Sequence, residues 1–274
     1  MAMIVRGLQT PGRIIDKSFI LYVVNMISVV VPVYNLEKYI TETLDSILAQ
    51  DVSDMEIVLV DDMSKDSSVS IIKEYSASHP DARIRLIEPG TKLKACGARN
   101  LGIREARGRY IAFLDGDDLW VKDKLKKQMA FMEKNGCGFS FTGYEFADET
   151  GAPMGKKVRV PLNISYRQAL KNTTIFTSTV IFDTDIVKKD DIVFPDILSE
   201  DTALWFRLLR LGYRACGLDE NLTMYRRTAN SLSADKSDSA RRIWNLYRKS
   251  EGLPALYSAW CFIGWGFNAV RRRL

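Results

Sequence analysis

The run Tyr110-Ile-Ala-Phe-Leu-Asp115-Gly-Asp117-Asp118 constrains this chain more than any other segment. Its apolar half has the length of a buried strand, and the strand ends abruptly in three carboxylates within four positions. A strand apolar throughout belongs to a parallel sheet covered by helices on both faces. Ligands of such open sheets bind outside the carboxyl ends of the strands, which is where these acids fall. Carboxylates this close repel one another, and hard oxygen ligands suit Mg²⁺ or Mn²⁺, so a divalent cation is their expected partner. A solvated acidic turn, or the N-cap of a helix near Leu119, is the other way to place them.

The segments before this run supply the rest of the sheet. Hydrophobic periodicity predicts strands over 27–33, 56–60, 84–87 and 110–114, alternating with helices over 38–50, 67–78 and 98–107. That alternation predicts a βαβαβαβ unit with a parallel core. The first strand ends in Pro32-Val-Tyr34-Asn35 and the second in Asp61-Asp62-Met-Ser64, so polar loops gather with the Asp115 cluster at one edge.

Composition removes several classes of chemistry. At 274 residues and 46% hydrophobic, the chain can bury a full core, and disorder is not the default. His79 is its single histidine, which excludes histidine-based triads and histidine-rich metal sites. Cys96, Cys137, Cys216 and Cys261 are scattered with no CxxC pair, so neither a zinc site nor a disulfide framework is indicated, and a reducing cytosol fits best. Residues 1–25 lack the h-region and cleavage site of a secretory signal and read as an extension before a core starting at Met26.

The formal charge of +5 is unevenly spread: seven arginines and lysines from Arg241 onward face only Glu251. Between them lies an uncharged stretch, 253–270, holding Tyr257, Trp260, Phe262, Trp265 and Phe267. Rings flanked by arginines suit the headgroup level of an anionic membrane, although the stretch is short and too polar for a span. A soluble packed helix or an oligomer contact is the competing reading. Basic residues beside an uncharged aromatic segment, instead of striping a folded face, argue against nucleic acid.

No glycine-rich phosphate loop follows the first strand, so neither a dinucleotide fingerprint nor a P-loop is present. A bound diphosphate would therefore be neutralised by metal at the acidic cluster and by basic side chains such as Arg99 in Ala98-Arg99-Asn100. Ser199-Glu200-Asp201-Thr-Ala-Leu-Trp205 adds an acidic pair at a predicted helix start, a position that also simply complements the helix dipole.

Taken in order, Val29-Val-Val-Pro32-Val-Tyr34-Asn35, Val60-Asp61-Asp62-Met-Ser64, Ala98-Arg99-Asn100-Leu-Gly102-Ile103, Gly108-Arg109 through Trp120, and Glu200 through Trp205 resemble the motif series of family 2 inverting glycosyltransferases of the GT-A fold. The resemblance runs from about Met26 to Ser233. Phe139 to Tyr144, Lys157 to Pro161 and Trp244 to Lys249 are similar to the teichuronic acid and capsule enzymes of bacterial cell envelopes. It implies a single Rossmann-like, GT-A-like α/β domain with a mostly parallel sheet and an amphipathic helical tail. The expected division is an extension (1–25), a donor half (26–120), an acceptor half (121–235) and the basic-aromatic tail (236–274).

The implied donor is a UDP-sugar, and the implied acceptor a lipid-linked glycan or polysaccharide at the inner face of the cytoplasmic membrane. Pro32 and Tyr34 would wall the nucleotide pocket, Asp62 with Asp61 behind it would read uracil, and Arg99 would flank the nucleotide. Asp115 would reach the ribose and, with Asp117, the Mn²⁺ or Mg²⁺. Asp201 would be the base and Glu200 would orient the acceptor. Thr228 replaces the histidine of many relatives near the diphosphate, leaving Arg226, Arg227 and Ser231 as substitutes. Met63 and Lys94 stand where the family often has glycine. A nucleotide-sugar binding relative without catalysis and a nucleotidyltransferase making an activated sugar are the alternatives.

Overall fold

The computed structural model describes residues 25–227 and 236–271, with side chains at 236, 237 and 271 excepted. Residues 1–24 of the 1–25 extension, Thr228 and Ser231 thus lie outside the described residues. Strand β1 (Ile27–Val33) is flanked by β2 (Met55–Asp61), itself beside β3 (Arg83–Ile87), and on its other edge by β4 (Tyr110–Phe113). All three pairings are parallel, as the sequence pattern requires. Helices α1 (Ile40–Leu48), α2 (Ser68–Ser78) and α3 (Lys94–Glu105) make the crossovers.

Side chains of β1 alternate between two cores. Val29, Val31 and Val33 pack with Ile40, Leu44 and Leu59, while Val30 faces the opposite layer with Phe113 and Phe182. Helix α3 begins four residues earlier than periodicity suggests because Asp62 Oδ1 accepts from the Leu93 and Lys94 N–H groups, the latter at 3.1 Å. A carboxylate from a neighbouring loop thereby satisfies donors that the helix leaves open.

The second half adds β5 (Leu119–Trp120), α4 (Lys124–Asn135), β6 (Phe139–Ala147), β7 (Pro153–Val158), β8 (Asn163–Ile164), α5 (Tyr166–Ala169), β9 (Ile181–Asp183), α6 (Glu200–Arg210) and β10 (Ala215–Arg226). The main sheet runs β3-β2-β1-β4-β9-β6-β10-β5, with β9 antiparallel to both neighbours and β6 parallel to β10. Trp205 of α6 is fully buried against Phe139 and Phe194, ring centroids 5.3 and 6.0 Å away, and this packing anchors the helix that begins with Glu200.

Pairing of β6 with β10 corrects one expectation. Cys137 and Cys216, whose scatter in the sequence indicates no disulfide framework, are joined as a disulfide with Cα atoms 6.5 Å apart. The strands align Ala215 with Phe139, and this pairing brings together two cysteines 79 residues apart that spacing alone could not announce. Cys96 and Cys261 are free and buried.

The tail folds back on the core. Helix α7 (Lys236–Asn245) runs through a π turn (Leu246–Ser250) toward α8 (Ala255–Arg271). Ile243, Leu246, Tyr247 and Cys261 join the core that contains Phe139 and Trp205. The other face of α8 carries Leu256, Trp260, Ile263, Phe267 and Val270, each between 59% and 89% exposed. Their alternating four- and three-residue spacing makes one continuous apolar stripe.

Candidate active site

Strand order reverses at β1, with β2 on one side and β4 on the other, so the loops after β1 and β4 part and leave a crevice. Tyr34 stands on one lip and Asp115, Asp117 and Asp118 on the other, lining a cleft of about 580 Å³. Gly116 allows the acidic loop to lie against β1: a Cβ there would come within 2.3 Å of Leu36 Cδ1 and 3.3 Å of the Pro32 carbonyl. Pro32 is thus a backbone neighbour of the loop and does not line the cleft. Ser178 fixes the loop by accepting from the Asp115 N–H at 3.1 Å and donating to Asp118 Oδ2 at 2.6 Å. The other Asp118 oxygen accepts from the Arg226 N–H at 3.0 Å.

The far wall comes from α3 and α6. Arg99 is buried, and its two terminal nitrogens donate to Asp115 Oδ1 at 2.6 Å and Glu200 Oε1 at 3.1 Å. Asn100 clamps the chain leading to α6, exchanging hydrogen bonds with the Phe194 N–H and carbonyl at 2.8 and 2.7 Å. Ser199 then turns in the left-handed region (φ 66°) and presents Glu200 and Asp201 at the helix N-terminus. Asp201 Oδ1 accepts from the Thr202 N–H at 2.6 Å.

Burial controls the electrostatics. It pushes Asp117 up to about 6, with the charge of Asp115 adding to the effect. Asp118 is pushed well above the ordinary carboxylate range by its burial and by Asp117 and Asp115. Burial likewise raises Glu200, reinforced by Asp201, and raises Asp201 against the lowering influence of the Thr202 N–H and Arg99. Burial disfavours the charged Arg99, but Asp115 and Glu200 outweigh it and hold the guanidinium protonated.

Among the described residues no group of three or more His, Cys, Asp and Glu side chains is placed to hold a metal. Asp115 and Asp117 nevertheless fit an ion that arrives with its substrate. Mg²⁺-like ions are commonly held by one or two carboxylates with substrate phosphates and water completing the shell. The half-buried Asp117, raised by desolvation and by Asp115, is a carboxylate that a cation would stabilise in the charged form.

Of the residues singled out from sequence, Tyr34, Arg99, Asp115, Asp117, Glu200 and Asp201 meet in this cleft. Asp61 and Asp62 do not line it. Asp61 Oδ2 accepts from the Ser64 N–H at 3.1 Å, and Asp62, besides capping α3, is 3.0 Å from Lys92 Nζ. Lys92 in turn lies 3.1 Å over the Tyr34 ring. Arg226 is turned inward, 2% exposed, donating to Glu42 Oε2 at 2.6 Å and the Glu149 carbonyl at 2.9 Å. Arg227 lies in an adjoining cleft. Sequence reasoning missed Phe176, Thr202, Tyr225, Ser239, Arg242 and Trp265, which complete the wall. The last three belong to the tail, whose rings and arginines read as surface groups because a linear sequence does not divide the two faces of α8.

Residues 28–189 match the family described as "Glycosyl transferase family 2". The chain is 40% identical over 250 residues to the putative teichuronic acid biosynthesis glycosyltransferase TuaG of Bacillus subtilis, covering 91% of this chain and 98% of that protein. It is 36% identical to the Escherichia coli UDP-Glc:alpha-D-GlcNAc-diphosphoundecaprenol beta-1,3-glucosyltransferase WfaP, covering 89% and 94%. The fold is shared with residues 1–349 of S. aureus TarS in complex with UDP-GlcNAc (TM-score 0.66, 22% identity, 88% of this chain and 71% of that one). It is also shared with the Pyrobaculum calidifontis mannosyltransferase PcManGT in complex with GDP-Man and Mn²⁺ (TM-score 0.67, 21% identity, 87% and 68%). These matches agree with the GT-A-like α/β architecture and leave no place for the nucleotidyltransferase alternative. The chain belongs to glycosyl transferase family 2 and is a glycosyltransferase.

Proposed function

We propose that this enzyme moves one sugar, with inversion, from a UDP-sugar to a lipid-linked or polysaccharide acceptor during bacterial cell-envelope polymer synthesis. The observation that carries the reading is the Arg99 bridge, which brings the Asp115 loop and the Glu200–Asp201 pair to one cleft. One side of that cleft can hold a diphosphate and the other offers a half-buried carboxylate. The names of TuaG and WfaP support an envelope glycan and a lipid diphosphate acceptor. The TarS and PcManGT complexes leave UDP and GDP as the donors to compare.

In this reading residues 26–120 bind the donor and 121–235 the acceptor. Tyr34 and Arg99 flank the nucleotide, and Asp117 with Asp115 would hold Mn²⁺ or Mg²⁺. That ion supplies positive charge against the departing diphosphate. Asp201 takes the proton of the acceptor hydroxyl, and its raised affinity for protons strengthens it as a base. Glu200 holds Arg99 in place beside it.

The tail would rest on the inner face of the cytoplasmic membrane. No helix among the described residues is long and apolar enough to cross a bilayer. The exposed α8 stripe, with Arg248 and Lys249 before it and Arg271 to Arg273 after it, suits the interface of anionic lipid.

A transfer and hydrolysis screen across UDP- and GDP-sugars, with Mn²⁺ or with EDTA, tests the reading. It expects UDP-sugar turnover that EDTA abolishes, and an Asp117→Asn variant that folds but neither turns over nor binds UDP in a metal-dependent way. Undiminished turnover in EDTA would sink the metal assignment, and a GDP-sugar preference would sink the donor assignment.

A further inference from the structure

A second cleft of about 290 Å³ adjoins the first and shares Asp201, Thr202, Tyr225, Ser239 and Trp265 with it. Its own walls hold Tyr144, Phe146, Lys156, Arg227 and Ala269. The half-buried carboxylate of Asp201 therefore sits where two clefts meet, the position a proton acceptor needs between a donor and an acceptor.

The lining has two chemistries. Tyr144, Phe146 and Tyr225 are half-buried rings of this lining, with centroids 5.4 Å apart for Phe146 and Tyr225, and Tyr225 continues the contact to Phe176 of the first cleft at 4.5 Å. Such rings offer flat apolar faces to the C–H faces of a sugar. Beside them Arg227 is exposed, its N–H fixed on the Ala147 carbonyl at 2.9 Å and its guanidinium 5.5 Å over the Phe146 ring. Lys156 adds a second cation to the same cleft. A planar guanidinium held on a ring is preorganised for bidentate contact with phosphate oxygens.

We propose that this second cleft seats the acceptor as a glycosyl diphosphate, its sugar against Tyr144, Phe146 and Tyr225 and its diphosphate on Arg227 and Lys156. The assignment rests on the proposed glycosyl transfer and moves Arg227 from the donor diphosphate to the acceptor. In the transfer, the acceptor hydroxyl oxygen bonds to the anomeric carbon of the donor sugar. The bond from that carbon to the donor diphosphate breaks, its electron pair leaves with the nucleoside diphosphate, and the hydroxyl proton passes to Asp201. Trp265 and Ala269 of α8 line this cleft while the opposite face of the helix carries the exposed apolar stripe, so a lipid chain on the diphosphate has an apolar surface beside the opening.

The probes are α-GlcNAc diphosphate esterified to a short alkyl chain, the same compound with an undecaprenyl chain in anionic vesicles, and the short-chain alkyl glycoside lacking the diphosphate. Full-length wild type, Arg227→Ala and Arg227→Lys are titrated with each and assayed with the preferred donor. Arg227→Ala is expected to weaken binding and raise KM for both diphosphate probes about tenfold or more. It should leave the donor KM within twofold and the weak binding of the glycoside unchanged, and Arg227→Lys should recover part of the loss. A tighter wild-type fit for the undecaprenyl probe alone assigns the source to lipid, and equal fits assign it to the soluble glycosyl diphosphate. A raised donor KM, or an equal loss with the glycoside, would overturn the assignment. Direct titration needs no turnover, so Arg227-dependent diphosphate binding without transfer would reject the transfer reading while supporting the cleft.

Discussion

The Arg99 guanidinium meets the Glu200 carboxylate at 3.1 Å across 101 residues of sequence, with its other nitrogen on Asp115 at 2.6 Å. Arg99 is therefore the joint between the parallel half of the sheet and the helix that carries Asp201. Removing one partner of a buried ion pair leaves uncompensated charge and costs about 3–5 kcal/mol. Because Asp115 and Glu200 keep partial access to water, Arg99→Ala is expected at the lower end, about 3 kcal/mol in denaturant unfolding. Arg99→Lys should fold better but lose most turnover, since one ammonium cannot span both carboxylates in this geometry. A Lys variant with full turnover would show that charge alone suffices.

Asp201 sets the acid side of the pH profile. Burial raises it above the ordinary 3.8, and a base works only when deprotonated, so kcat should rise with pH through a midpoint above 3.8. Asp201→Asn should cut kcat by at least about a hundredfold with little change in UDP affinity. The stability sign follows from the same shift. Between 3.8 and the raised value the folded state holds more protons than the unfolded one, so this group's contribution to stability falls as pH rises through that window. The Asn variant should accordingly lose that pH dependence and be more stable than wild type at pH 7. Near-normal turnover in it would remove Asp201 from the mechanism.

Met63 and Lys94 both adopt left-handed backbone, φ 61° and 59°. Glycine is the residue that adopts this region freely. A side chain in that region costs roughly 1–2 kcal/mol, partly offset by the greater unfolded-state freedom of glycine. Met63 is half exposed and has little packing to lose, so Met63→Gly should raise stability by about 0.5–1 kcal/mol without altering turnover. Thermal unfolding measures it, and a lower Tm would mean that the Met63 side chain packs productively.

The α8 stripe makes a separable prediction about the membrane. Trp260 and Phe267 point away from the cleft that Trp265 lines, so Trp260→Glu with Phe267→Glu should abolish co-sedimentation with anionic liposomes while hydrolysis of a soluble donor continues. Wild-type binding should weaken at high salt, each basic residue contributing about 1 kcal/mol near the surface. Unchanged sedimentation, together with a wild-type dimer that the same pair of changes splits, would assign the stripe to a second copy of the chain.

Local pattern determined the βαβ unit: apolar runs at strand spacing and helical periodicity between them place Tyr34, Asp115 and Asp117 at the same sheet edge wherever the remainder folds. The ordered motifs also carried the family and the acid pair at Glu200–Asp201. Tertiary structure decided the rest, because each remaining feature depends on segments that sequence separates. Asp62 is drawn into capping α3, Arg226 is buried on Glu42, and Cys137 meets Cys216 only when β6 and β10 pair. The tail shows the difference most plainly: its composition announces rings and arginines, but only packing against the core sends Trp265 into the cleft and Trp260 outward. Local physics reads neighbours along the chain, whereas the partner that satisfies a buried charge or covers an apolar face is chosen by the folded whole.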